Sequence, residues 1–437
     1  MPASWRSAVR VLCLLAMVGG GIAAAAGAQD VGRAPQMATA TQAERPPESE
    51  RSARTSSARR ARPASLRSLD PREHRVEDGT VLADLEGGET AILSLDPGLQ
   101  QSMQNMLESY AVPYAAIVAM EPASGRVLAY VSHSSAEPDG PDLVRSVDAP
   151  AASVFKVITG AALLDAGVSP EERVCYHGGA SRLRADDLEP DPARDRQCAT
   201  LSEAMGGSIN AVFARLADEH LDARTLGRYA SAFGFGEALP FDVPVTASPI
   251  DVPDERVERA RAAAGFWHSH MSPLHAALIA ATIANRGSMP RASIVDRVLD
   301  ADGDVTYEAR PEQFRAVIGR RTAELLDRMM RRTVTHGTAR RAFFDDHGRP
   351  FLPGIEVAGK TGTLSSERPY RGYTWWVGYA PADDPQIAVA ALLVNTPEWR
   401  IKASYAAREA LRYWLVTRPA EARRAERRAA REAATAD

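Results

Sequence analysis

Apolar residues recur along this chain with two different periods, and the order in which the periods follow one another predicts an architecture. Between residues 97 and 110, Leu99, Met103, Met106 and Leu107 fall on one stripe, the spacing of a helix with one buried face. Residues 114–121 and 126–132 are short apolar runs separated by Pro122-Ala123-Ser124-Gly125, which predicts an antiparallel hairpin. Helical periods broken by Gly and Pro then dominate from about 150 to 340, as in 157–166, 274–285 and 321–333. Strand-like runs return at 355–364, 373–379 and 386–395, the last almost wholly apolar and so expected to be covered on both faces. Residues 403–416 read as a closing helix with Tyr405, Leu411 and Leu415 among its apolar positions.

Two strands at the front and three at the back predict an α/β fold: an antiparallel sheet of about five strands assembled from both ends, covered by helices, with an inserted all-helical subdomain. This domain is expected over residues 90–418. Ahead of it, Arg6 and Arg10 precede an apolar run from 11 to 26 that ends in Ala26-Gly27-Ala28. Residues 1–28 therefore read as a secretory signal peptide cleaved before Gln29, or as an uncleaved membrane anchor with its Arg side in the cytoplasm. Either reading exports the rest. Residues 29–89, rich in Ala, Arg, Ser, Pro and Glu, show no sustained period and are expected to form a disordered linker. Residues 419–437 are a charged tail, a solvated Arg/Glu/Ala helix or a frayed end.

Composition narrows the function. With 437 residues, 45% of them hydrophobic, the chain can bury one large or two ordinary cores. Its net charge of -4 leaves no nucleic-acid footprint. Cys13 lies inside the apolar leader, so export leaves Cys175 and Cys198, an even count in an oxidising compartment, and they are expected to pair. Spacing alone does not bring their Cα atoms together, so two free thiols stand as the alternative.

Lysine usage is more pointed. Only Lys156, Lys360 and Lys402 occur, so 49 of the 52 basic residues are Arg. Arg serves solubility and ion pairing but keeps its proton, whereas a desolvated Lys can act as a neutral base. Lys156 stands in Ser153-Val154-Phe155-Lys156 at the start of a helical pattern, and residues at i and i+3 share a helix face. The amine is thus within reach of the Ser153 hydroxyl, at a helix N-terminus that favours developing negative charge. Ser208-Ile209-Asn210 offers a hydroxyl and a carboxamide, or an ordinary helix cap. Lys360-Thr361-Gly362-Thr363 places a cation and two hydroxyls on a strand edge, with a glycine that lets a ligand approach the backbone.

In that order, on helix, helical block and strand, the three motifs resemble those of the penicillin-binding protein transpeptidases and serine β-lactamases. Leu93-Ser-Leu-Asp-Pro-Gly-Leu-Gln100, residues 117–132, Ser272-Pro-Leu-His-Ala-Ala with Ala284-Asn-Arg-Gly287, Gly337-Thr-Ala339 and Trp376-Val-Gly-Tyr-Ala-Pro381 extend the likeness over about 90–418. The resemblance implies that neutral Lys156 takes the proton of Ser153 as it attacks a peptidoglycan stem peptide between two D-alanines. It also implies that Ser208 relays the proton to the leaving amine, that Lys360 lowers the pKa of Lys156, and that Asn210 holds the substrate amide. Thr361 and Thr363 would bind the terminal carboxylate, with Gly362 between them, and the N–H groups of Ser153 and Thr363 would form the oxyanion hole. No metal or cofactor is implied. The partners implied are stem peptides, β-lactam antibiotics and cell-wall assembly proteins, in the periplasm or cell envelope, with no nucleic acid and with membrane contact only through residues 1–28 if these are uncleaved. Ala151-Ala152 stands where the larger transpeptidases usually have Pro-Gly, and the region before 90 is too short for their additional domains. The implied reaction is therefore a D-Ala-D-Ala transpeptidase or carboxypeptidase, with a β-lactamase or a non-catalytic wall-peptide or β-lactam sensor as alternatives.

Rival motifs are weaker. Gly354-Ile-Glu-Val-Ala-Gly359-Lys360-Thr361 fits the phosphate-binding pattern G-x-x-x-x-G-K-[ST], but that loop must open a helix and here strand alternation runs through it. His268 and His270 lack further ligands at a metal-binding spacing and are expected to be structural.

Overall fold

The computed structural model describes residues 62–436. The expected leader, and the linker as far as residue 61, lie outside the described residues.

The central sheet has five antiparallel strands in the spatial order Ala358–Glu367, Tyr370–Ala380, Ile387–Asn395, Tyr114–Met120, Val127–Ser134. The two ends of the domain meet where Ile387–Asn395 pairs with Tyr114–Met120, with Ala391 opposite Ile117. Alternation along these strands divides the core in two. Ala116, Val118, Ala388, Ala390, Trp375 and Val377 enter one core, while Ala115, Ile117, Val389, Ala391, Leu393 and Trp376 enter the other. Helices cover both faces. Lys156–Asp165 and the almost wholly buried Pro273–Ala284 pack into the first core, and Pro97–Ser109 with Ala403–Arg412 into the second. Double coverage explains why the central strands read as near-continuous apolar runs.

Two expectations need correction. The linker does not extend to residue 89. Arg75–Glu77, Thr80–Asp84 and Thr90–Leu93 form a second antiparallel sheet with Val295–Leu299 and Val305–Glu308. Its first hairpin turns through Asp78-Gly79, both at positive φ, with Glu77 opposite Thr80, and Val81, Ala83, Ala91, Leu93 and Val298 bury its inner face. The inserted block is also not all-helical. It carries the hairpin Arg173–Tyr176/Gln197–Thr200 and the pair Ser288–Pro290/Gln313–Ala316.

Cys175 and Cys198 face each other across the first of these hairpins and form a disulfide, as the cysteine count predicts. The tail is a helix, Arg418–Ala436, exposed wherever its side chains are described beyond residue 420. Among the described residues no helix is long and apolar enough to cross a membrane.

Candidate active site

All three motifs converge. A one-turn helix, Ala152–Phe155, carries Ser153 and runs directly into Lys156–Asp165. Lys156 is fully buried, and its Nζ lies 2.9 Å from Ser153 Oγ, 2.7 Å from Asn210 Oδ1 and 2.5 Å from the Ala264 carbonyl oxygen. Burial pushes its pKa well below the ordinary lysine range, and Lys360 adds like-charge repulsion. Burial is thus the larger cause, ahead of the repulsion that the motif resemblance put first. A neutral amine has two N–H donors and one lone pair. With the amine neutral, its two N–H groups suit Asn210 Oδ1 and the Ala264 carbonyl, and its lone pair suits the Ser153 hydroxyl.

Ser208-Ile209-Asn210 is both helix cap and site. Helix Leu201–Gly207 ends in Ser208 at φ 56°, and Asn210 opens helix Asn210–His220, so a left-handed turn presents both side chains to one cleft. Asn210 Nδ2 donates to the Ala180 carbonyl at 2.9 Å, which fixes the amide orientation and leaves Oδ1 for Lys156. Lys360 is equally buried, and its Nζ donates to Ser208 Oγ and to the Thr361 carbonyl oxygen, both at 2.8 Å. Desolvation lowers its pKa to about 7.

Lys360, Thr361, Gly362 and Thr363 lie on Ala358–Glu367, the edge strand of the central sheet. That placement overturns the phosphate-loop alternative, because Gly359-Lys360-Thr361 is mid-strand and opens no helix. Thr363 is exposed, whereas Thr361 Oγ1 is hydrogen-bonded at 2.5 Å to Thr338 Oγ1, a residue of the quoted Gly337-Thr-Ala339 that the motif reading gave no role. At Gly362 the protein itself packs close to the backbone. A Cβ there would sit 3.2 Å from Ala152 Cβ and 3.3 Å from Val154 Cγ2, so its missing side chain lets the serine-bearing turn pack on the strand. His268 Nε2 pairs with Glu258 at 2.9 Å, consistent with a structural role.

The residues that the motifs missed are backbone groups. Ala152, immediately before Ser153, has φ 50°, a left-handed conformation unusual for alanine. Gly265, at φ 82°, touches it, since a Cβ there would lie 2.3 Å from the Ala152 carbonyl oxygen and 3.1 Å from Ser153 Cα. A Gly265→Ala variant should therefore displace the serine and the Ala264 carbonyl together. It should slow acylation about a hundredfold and destabilise the fold by about 1–3 kcal/mol, read by acylation kinetics and thermal melting. An unchanged acylation rate would show that this contact does not set the position of Ser153.

Comparison with known proteins agrees with this geometry. Residues 115–412 match the family model described as the penicillin binding protein transpeptidase domain. A peptidoglycan D,D-transpeptidase PbpA of Mycolicibacterium smegmatis is 28% identical over 378 residues, 76% of this chain and 73% of that protein. Among solved structures, the D,D-transpeptidase domain of a peptidoglycan glycosyltransferase from Eggerthella lenta superposes with a TM-score of 0.64. It is 26% identical and covers 77% of this chain and 85% of its own. Penicillin-binding protein A of Mycobacterium tuberculosis, in a ceftriaxone acyl-enzyme complex, gives a TM-score of 0.59 at 25% identity, covering 69% of this chain and 73% of its own. The family model spans most of the chain, its relatives share the fold, and the three motifs meet around two buried lysines: the chain belongs to the penicillin-binding protein transpeptidase family.

Proposed function

We propose that this protein is a serine D,D-transpeptidase that acts on D-Ala-D-Ala stem peptides outside the cytoplasmic membrane and is acylated by β-lactams. The observation that carries the reading is the contact between fully buried Lys156 and Ser153 Oγ at 2.9 Å. Ser153 Oγ bonds to the penultimate D-alanine carbonyl carbon as its proton passes to Lys156 Nζ. The N–H groups of Ser153 and Thr363 receive the developing oxyanion, one such donor being worth about 3 kcal/mol. The C–N bond then breaks as Ser208 gives its proton to the departing D-alanine amine and regains the one that Lys156 took up, which leaves Lys156 neutral again. An amine of a second stem peptide, or water, then bonds to the ester carbonyl carbon and gives its proton to Lys156, the C–Oγ bond breaks, and Lys156 returns that proton to Ser153 Oγ. Asn210 holds the peptide amide while its Oδ1 keeps Lys156 in line. Thr361 and Thr363 face the terminal carboxylate, whose charge Lys360 complements.

The test is acylation by a penicillin, with the adduct mapped by mass spectrometry to the peptide containing Ser153 and the second-order rate followed against pH. The free-enzyme profile should be bell-shaped. Its acid limb marks loss of the Lys156 proton, and its alkaline limb near pH 7 marks loss of charge from Lys360. An adduct on another residue, or none under conditions that label a known relative, sinks the reading.

A further inference from the structure

Beside the catalytic turn opens a groove of about 890 Å³ whose arginines no step of this mechanism uses. Ser208 and Asn210 belong to one of its walls, and the disulfide-bounded segment forms the other. Four guanidiniums line it, those of Arg182, Arg184, Arg194 and Arg196, against the two carboxylates of Asp186 and Asp187. Asp186 is occupied by Arg194 at 3.1 Å, and Asp187 is buried, with Oδ2 accepting the Arg184 backbone N–H. The side chains of Arg182 and Arg184 are exposed and form no ion pair among the described residues.

The wall that carries them is held in place. Cys175–Cys198 joins its two ends. Arg215, 8% exposed, donates to the carbonyls of Cys175, Asp187 and Glu189 and to the Asp195 carboxylate. The Ala180 carbonyl, two residues before Arg182, receives Asn210 Nδ2. The free guanidiniums thus stand on a fixed segment tied directly to the side chain that orients Lys156. A net positive groove repels amines and attracts anions, and a guanidinium fork matches a carboxylate.

We propose that this groove is a subsite for a second carboxylate of the peptide substrate, distinct from that of the terminal D-alanine, and that Arg182 and Arg184 recognise it. The assignment rests on the peptide-transferring function proposed above, which places the terminal carboxylate at Thr361 and Thr363 and leaves the groove to another part of the peptide. The chemical class is an acidic peptide.

The experiment compares two synthetic pentapeptides ending in D-alanyl-D-alanine, identical except for D-glutamate in one and D-glutamine in the other at an upstream position. Release of D-alanine is followed with an added amine acceptor, for the full protein and for an Arg182→Gln/Arg184→Gln variant, with penicillin acylation measured on both. The expected result is a kcat/KM about tenfold higher for the acidic peptide in the wild type and a ratio near one in the variant. Penicillin acylation of the variant reports that its site is still assembled. Equal rates for the two peptides in the wild type, a preference that the variant keeps, or turnover of neither peptide by protein that penicillin acylates, each overturns the subsite. Failure of the wild type to be acylated by penicillin overturns instead the functional reading on which it rests.

Discussion

Replacing Ser153 with alanine should abolish covalent labelling by a fluorescent penicillin, a loss of at least about a thousandfold against the wild-type rate. The fold should survive the change. Ser153 is half-buried, and its hydroxyl makes one side-chain contact, to Lys156 Nζ, which retains Asn210 Oδ1 and the Ala264 carbonyl when the hydroxyl is gone. The melting temperature should accordingly shift little. Gel labelling beside a thermal melt separates the outcomes: no band with an intact melt supports a nucleophilic role, and a persistent band places the acyl group on another residue.

Lys156→Met should be nearly as severe for acylation, by about a thousandfold or more, because it keeps the apolar stem and deletes only the amine that we propose takes the serine proton. Its effect on stability should depend on pH in a direction that the burial fixes. The folded pKa of Lys156 lies below its unfolded value, so over the interval between them the unfolded chain binds the extra proton. Wild-type stability relative to the methionine variant should therefore rise with pH up to about 10.4 and stay at its lowest below the folded pKa. In the opposite direction, methionine leaves Asn210 Oδ1 and the Ala264 carbonyl without their donor, about 1–3 kcal/mol for a buried acceptor. Melts at pH 6 and pH 9 read the slope, which the missing donor does not alter. A difference that falls with rising pH would mean that Lys156 is held protonated by partners and is not a base in waiting.

The side chains that meet in the candidate site were legible in the sequence for a physical reason. Lysine is nearly absent from this chain, so the two that stand in Ser153-Val154-Phe155-Lys156 and Lys360-Thr361-Gly362-Thr363 are conspicuous, and a three-residue spacing at a helix start nearly fixes the distance between hydroxyl and amine. The second sheet was legible too, yet overlooked. Asp78-Gly79 is a strong two-residue hairpin signal, but it lies among charged residues, and Arg75, Val76 and Glu77 are all exposed, so no apolar alternation marks the first strand. Of these strands, Thr90–Leu93 joins the rest of the sheet by pairing with Val295–Leu299, some two hundred residues away.

By itself, then, the sequence determined which side chains make up the three motifs, that Ser153 and Lys156 are neighbours, and that the two ends of the domain supply one sheet, because local periods of 3.6 and 2 fix which residues share a face. Only the tertiary structure decided that both lysines are fully buried, that Asn210 rather than Ser208 touches Lys156, that the Ala264 carbonyl completes its coordination, and that Gly265 and Gly362 clear space for the serine-bearing turn. Burial and backbone contacts are sums over segments distant in sequence. A carbonyl that every residue possesses leaves no mark in the sequence until packing aims it.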